Sequence, residues 1–342
     1  MNYLNVCNRL HDRESMSYTA YLKEIGRGPG GSRALSEDDA NHLMSAMLDG
    51  GVPDMEFGGL LMAMRMKGET LDELLGFYQA VDKRIYKLPV PPGGLRPVVI
   101  PTYNGARRQA NLTPLIALWL KQFGVPVLLH GELEGHGRVG TVHVLRELDI
   151  FPCATLSQVE TRLANDRIAF VPTSALSPGL AAMLNARSRL GVRNSAHTLV
   201  KLIDPFDGVG LRLISASHPD YLQLIADFLL ATGFDALLLR GTEGEPYANP
   251  KRRPELRHFQ GGESRVLFEA ESGPIKSLPP IPDTCDAVST ARWIKRVLGR
   301  EISAPLPLVN QLACCLYASG YSQDFNQAKA IAAVETGSLA AA

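Results

Sequence analysis

The stretch Val98–Gly131, VVIPTYNGARRQANLTPLIALWLKQFGVPVLLHG, decides the fold. A short apolar run, a polar loop, an apolar helix pattern and a second apolar run follow one another, the order of a parallel strand–helix–strand unit. The loop carries Asn104, Gly105, Arg107, Arg108 and Asn111. Thr113-Pro114 predicts the helix start, Thr as the cap and Pro in the first helical position, where its missing N–H leaves no bond unmade. A loop feeding a helix N-terminus presents free backbone N–H groups and the positive end of the helix dipole, so an anion is expected there. That anion is either a reacting small molecule or a nucleic-acid backbone.

Upstream, the sequence predicts four helices with Ser or Thr before them or Gly just after: Tyr18 to Ile25, a segment from Ser36 to Gly50, Pro53 to Lys67, and a segment from Thr70 to about Tyr86. Residues 17–87 therefore read as a small helical domain, preceded by a mobile tail at 1–16, and Leu88–Pro97 is a proline- and glycine-rich joint. Downstream, apolar runs at Val98–Ile100, Val125–Leu129, Ile168–Val171, Leu211–Ser215, Ala236–Leu239 and Arg265–Glu269 alternate with helical segments. The fold class is α/β: a helical N-terminal domain and, over 98–342, an α/β domain with a mainly parallel sheet and C-terminal helices, one of them Leu306–Ser319. The helical insert Pro178–Phe206 exceeds what a crossover needs, so part of it is expected to join the helical domain in space.

Bulk chemistry narrows the function. Thirty-five basic and thirty-five acidic residues cancel, so a polyanion would need a local patch rather than the whole-molecule field. The five scattered cysteines form no C-x-x-C pair, which speaks against zinc and against a disulfide framework. No apolar run approaches a membrane span and the N-terminus lacks a signal-peptide core, so a cytoplasmic protein is expected.

Several candidate sites carry two readings. Gly26-Arg27-Gly28-Pro29-Gly30-Gly31 matches G-x-G-x-x-G but follows a helix rather than a strand, so a dinucleotide loop fails its context. Lys23, Arg27 and Arg33 on that turn are either phosphate contacts or a solvated basic loop. Glu243 and Glu245 lie just past a strand end, where α/β sheets place ligands; they either hold Mg²⁺ for a phosphorylated substrate or sit in a plain polar loop. His130 is a phosphate ligand or acid, or a packing residue. Arg193, His197 and Lys201 share one face if their segment is helical, as a basic face or as a surface ion pair. Met55–Met66, with Gly58-Gly59, is a contact helix between subunits or ordinary core.

In this order the pieces resemble the anthranilate phosphoribosyltransferase family, glycosyltransferase family 3: AMRMKGET (Ala63–Thr70), Asn111–Thr113, His130-Gly131, Phe170–Pro172 and Leu190–Arg193 match its landmarks over roughly residues 20 to 330. That family's G-T-G-G-D pyrophosphate loop is replaced here by PTYNGARRQ. Its K-H-G is Leu129-His130-Gly131, its metal-binding Asp-Glu is Thr242-Glu243, and the histidine of F-A-P-x-x-H is missing from FVPTSALSP. Arg193 alone survives cleanly among the substrate contacts. Phosphoribosyl transfer needs Mg²⁺ on the departing pyrophosphate and a close-fitting loop around it, so these exchanges leave the reaction without its main charge stabilisation.

LKEIGRG, PTYNGARRQANLTP, GVRNSAHTL and LRGTEGEPYANP further resemble the YbiB-like, non-biosynthetic branch of the family. The resemblance implies a homodimer formed through the helical domain. It implies binding of single- and double-stranded DNA without sequence preference, with RNA a further candidate, and no transferase activity, cofactor or metal. Lys23, Arg27, Arg33, Arg107, Arg108, Arg193 and Lys201 are then the nucleic-acid contacts, with Tyr103 a thin candidate for base stacking. Asn104, Gly105, Asn111, Thr113, His130, Glu243 and Glu245 are the vestige of the phosphate site. The alternative is a phosphoribosyltransferase that uses phosphoribosyl pyrophosphate, Mg²⁺ and an unidentified acceptor.

Overall fold

The computed structural model describes residues 17–28, 30–135, 137–273 and 280–337. The expected tail at 1–16, Pro29 of the glycine-rich turn and the start of the second proline-rich joint lie outside the described residues. Two units emerge, residues 17–84 with Ala182–Leu199, and Ile85–Ala181 with Val200 onward.

The first unit is built from α1 (Tyr18–Ile25), α2 (Glu37–Leu48), α3 (Asp54–Lys67) and α4 (Leu71–Asp82). Ser17 and Ser36 cap the first two through their side chains, and Thr70 with Glu73 forms a reciprocal capping box on α4. Helix α4 ends at Asp82, four residues before the expected Tyr86. Glu73 does more than cap: fully buried, it pairs with Lys67 at 2.5 Å and accepts the N–H of Leu35 at 2.9 Å. A buried carboxylate persists only with such partners. Helices α2 and α4 pack together, as do α1 and α3. Ser195 bonds Glu69 at 2.6 Å, fastening the 182–199 segment to this unit.

The second unit is a seven-stranded sheet in the order β3-β2-β1-β4-β5-β6-β7, formed by β1 (Val98–Pro101), β2 (Val127–Gly131), β3 (Ile168–Pro172), β4 (Leu211–Ala216), β5 (Ala236–Arg240), β6 (Leu256–Gln260) and β7 (Glu263–Phe268). The first five run parallel, with Val98 opposite both Val127 and Leu211. The last two add an antiparallel hairpin at the edge. Strand β6 is absent from the sequence reading because Arg257 and His258 interrupt its apolar pattern. Helices α5 (Thr113–Gln122), α6 (Thr141–Arg146), α7 (Leu156–Asn165), α8 (Thr173–Leu176), α9 (Pro178–Asn185), α10 (Arg187–Leu190), α11 (Ala196–Leu199), α12 (Pro219–Thr232), α13 (Ala287–Leu298), α14 (Leu306–Ala318) and α15 (Phe325–Glu335) complete the chain. Strands β1 and β2 are buried at every residue, as a parallel sheet covered on both faces requires. No described helix is long and apolar enough to cross a membrane.

The strand order reverses between β1 and β4. Loops leaving the carboxyl ends of strands at such a switch point form the crevice where open α/β sheets hold ligands. The loop after β1 is the Asn104–Asn111 segment.

Candidate functional site

Two carboxylates from one short segment after β5 hold that loop. Glu245, with no exposed surface, accepts the N–H groups of Asn104 and Gly105 at 3.0 and 2.7 Å. The hydroxyls of Thr102, Thr113 and Thr141 surround its other oxygen, the last two at 3.3 Å. Glu243 accepts three successive backbone donors, from Arg107 at 3.0, Arg108 at 2.7 and Gln109 at 2.8 Å. Its own backbone is left-handed, φ 54°, which positions the side chain toward the loop; such a conformation persists in a non-glycine residue only when the surroundings impose it. Asn104 returns a bond from its side-chain amide to the carbonyl of Glu243.

The loop is tied on its other side as well. Ala106 and Val139 exchange backbone bonds at 3.0 and 2.8 Å, and Asn111 reaches Val139 O and Thr141 Oγ1. Gly105 has φ 68°, and a Cβ there would stand 3.0 Å from the Cβ of Arg138 and 3.2 Å from the nitrogen of Gly140. At Gly131 a Cβ would lie 2.0 Å from the carbonyl oxygen of Thr102, which explains the glycine that follows His130.

This geometry corrects the expectation of open donors. The N–H groups of 104, 105, 107, 108 and 109 all face internal carboxylates, so the loop is an anion receptor already occupied by its own chain. Helix α5 begins at Thr113 itself: Leu112 is the cap residue and makes no side-chain bond, while Asn111 Oδ1 accepts the Thr113 N–H at 3.2 Å. Asparagine thus caps where threonine was expected to. His130 is a second correction. It is fully buried in β2, neither ring nitrogen has a hydrogen-bond partner among the described residues, and burial lowers its pKa to about 3. A neutral, enclosed imidazole is neither a phosphate ligand nor a proton donor at neutral pH.

The basic residues separate into kinds. Arg107 and Arg108 are exposed, and neither guanidinium has a partner among the described residues, because the nearby carboxylate takes their backbone N–H groups instead. On the turn after α1, Glu24 bonds Arg27 at 2.9 Å and lies 3.9 Å from Arg33, while Lys23 stays exposed. Arg193 and Lys201 do not share a helix face: α11 spans only Ala196–Leu199, and its His197 is buried against Asn194. They also fall in different units. Tyr103 is half-buried. Sequence reasoning missed Thr102, Thr141 and Arg138. The first two surround Glu245 from 143 and 104 residues away, a separation with no local signal.

Comparison with known proteins agrees with this architecture. Residues 19–84 match the model of the glycosyl transferase family helical bundle domain. The chain is 45% identical over 306 residues to the uncharacterised protein YbiB of Escherichia coli, covering 89% of this chain and 95% of that one. It is 25% identical over 313 residues to the anthranilate phosphoribosyltransferase of Rhodospirillum rubrum, covering 89% of each. Among solved structures, the anthranilate phosphoribosyltransferase of Thermus thermophilus superposes with a TM-score of 0.73 at 22% identity, covering 94% of this chain and 95% of that one. The Saccharomyces cerevisiae enzyme in complex with phosphoribosyl pyrophosphate and magnesium gives 0.71 at 15% identity, covering 94% and 93%.

Magnesium does not fit the residues present here. Glu245 is enclosed by five donors and Glu243 by three, so neither offers a free oxygen pair to a hydrated cation. Among the described residues no group of three His, Cys, Asp or Glu is placed to hold a metal.

Proposed function

The chain belongs to the YbiB family, on the fold of the anthranilate phosphoribosyltransferases, and from that premise we propose that it binds DNA as a cytoplasmic homodimer, without transferase activity. One observation carries the reading: Arg107 and Arg108 project unpaired guanidiniums from a loop whose backbone donors are already engaged. Such a loop recognises phosphate through side chains, not by wrapping a leaving group. Guanidiniums on backbone phosphates release counterions and read no bases, so the loop itself serves single strands, double strands and RNA. Lys23, Arg27, Arg33, Arg193 and Lys201 are the further candidate contacts. Self-association through the helical domain is supported by α3, which leaves Met55 and Met66 82% and 80% exposed. Its Gly58 and Gly59 instead face Leu190 and Leu22 of the same unit.

The test is a fluorescence-anisotropy titration of single-stranded and duplex DNA at several salt concentrations. Arg107→Ala/Arg108→Ala is expected to weaken both by about tenfold or more and to lower the salt slope by about 1.8 for the duplex and about 1.4 for the single strand, roughly 0.9 and 0.7 per lost phosphate contact. Unchanged affinity and slope would remove the loop from the interface. The second reading, a phosphoribosyltransferase with an unidentified acceptor, rests on the likeness to the Rhodospirillum rubrum enzyme. It requires Glu243 and Glu245 to abandon their donors. Magnesium-dependent, micromolar binding of phosphoribosyl pyrophosphate in calorimetry would favour it and overturn the present account of the loop.

A further inference from the structure

A cleft of about 710 Å³ opens beside the loop, within the same unit, lined by Gln109, Arg240, Arg252, Arg253 and the segments around them. Its size is that of small-ligand sites. The formal charges of its lining cancel, but their commitments do not. Glu243 serves the loop N–H groups. Glu271 accepts the Arg253 N–H at 3.0 Å and stands 3.6 Å from its guanidinium, which also bonds Glu269 O and lies over the Phe268 ring. Glu255 bonds Arg257 at 2.9 Å. Arg240, the exposed last residue of β5, has no partner among the described residues, and exposed Arg252 bonds only the carbonyl of Gly273 through its guanidinium. The cleft therefore presents two guanidiniums, of Arg240 and Arg252, that no carboxylate of the described residues engages.

A second feature is polar and neutral. The side-chain oxygen of Gln109 is buried without a hydrogen-bond partner among the described residues. A buried acceptor left unmatched is costly, and a ligand that brings a donor removes that cost. Phosphate cannot supply it, whereas the exocyclic amine of a base can, and glutamine carboxamides pair well with such edges. Gln109 directly follows Arg107 and Arg108, so a strand held by those arginines passes the mouth of the cleft.

We propose that this cleft receives one unstacked nucleotide of a bound single strand, its phosphate on Arg240 and Arg252 and its base edge on Gln109. The inference rests on the DNA-binding reading and adds a subsite to it. In a duplex the base edge is already paired and stacked, so the subsite acts on single strands. The same anisotropy titrations test it, with a short single strand, the same strand carrying abasic sites, and a hairpin duplex. Arg240→Ala, which removes the phosphate contact that seats the nucleotide, is expected to weaken single-strand binding about tenfold and hairpin binding by less than about twofold. Gln109→Met, which keeps the backbone bond to Glu243, is expected to shrink the preference for the intact over the abasic strand. Equal losses on strand and hairpin, or no loss on either, would overturn the proposal. So would adenosine monophosphate that binds the wild-type protein and is not displaced by DNA, since a free nucleotide would then be the occupant. A wild-type protein that binds no DNA at all instead refutes the underlying DNA reading.

Discussion

The turn after α1 and the loop after β1 each set one glutamate beside two arginines, and they use it in opposite ways. Glu24 bonds the guanidinium of Arg27 and lies near that of Arg33. Glu243 ignores the guanidiniums of Arg107 and Arg108 and binds the backbone beneath them. By charge count the two regions are alike. By available donors they differ, because in the first the side chains already have an acceptor and in the second they do not. A distant phosphate feels nearly the same screened field from both; a phosphate in contact finds both guanidiniums unengaged on the loop, whereas on the turn it competes with Glu24 for Arg27. Basic residues in a sequence thus say less about binding than where the neighbouring carboxylates point.

The largest effect that bears on this contrast is structural. Glu245→Ala strands two buried backbone N–H groups and three hydroxyls, and is expected to cost at least about 3 kcal/mol in urea denaturation. Glu24→Ala, which breaks only an exposed pair, is expected to change stability by less than about 1 kcal/mol. Similar costs for the two would erase the distinction. Glu243→Ala is the sharper comparison. Removing a negative charge beside two arginines raises DNA affinity if charge alone matters, whereas loss of the loop's internal anchor lowers it. We expect a fall of roughly three- to tenfold, with about 1–3 kcal/mol of lost stability, and a rise in affinity would break the positioning argument. The smallest effect belongs to Glu24→Gln. Freeing Arg27 and Arg33 is expected to raise DNA affinity by about two- to threefold, at the scale of one surface ion pair, when measured at low salt.

Much of the fold is written locally. Strands β1, β2, β3 and β5 are built on short apolar runs, β4 keeps such a pattern around Arg212, and the capped helices of the first unit carry their punctuation in Ser17, Ser36 and Thr70. Strand β6, which lies between β5 and the edge strand β7, escapes because adjacent Arg257 and His258 put a polar residue on each of its faces. The site is less legible. Glu243, Glu245, Asn104 and Thr113 stand out in the sequence as candidates, but the bonds that join them to the loop span 132 to 141 residues. Whether a carboxylate faces a metal, a guanidinium or a backbone N–H is decided only by that long-range meeting. The misread Arg193–Lys201 face fails for a related reason: Asn194 caps a single turn and buries His197, which periodicity alone does not reveal. Arg240 reads as the end of an apolar strand, and its lack of a partner becomes visible only once its neighbours are placed.

The carboxylate clamp on the loop also has an entropic consequence. Fixing the backbone of a free loop costs about 1–2 kcal/mol per residue, and a binding loop that orders only on contact subtracts that cost from its affinity. Residues 104–109 are held before any ligand arrives, by the Glu243 and Glu245 carboxylates that accept their N–H groups and by the bridge between Ala106 and Val139. A docking strand has then only to restrict two arginine side chains, up to about 2 kcal/mol each. On the proposed reading, because the backbone stays fixed whichever sequence docks, the loop's small ordering cost is the same at every site along a DNA molecule.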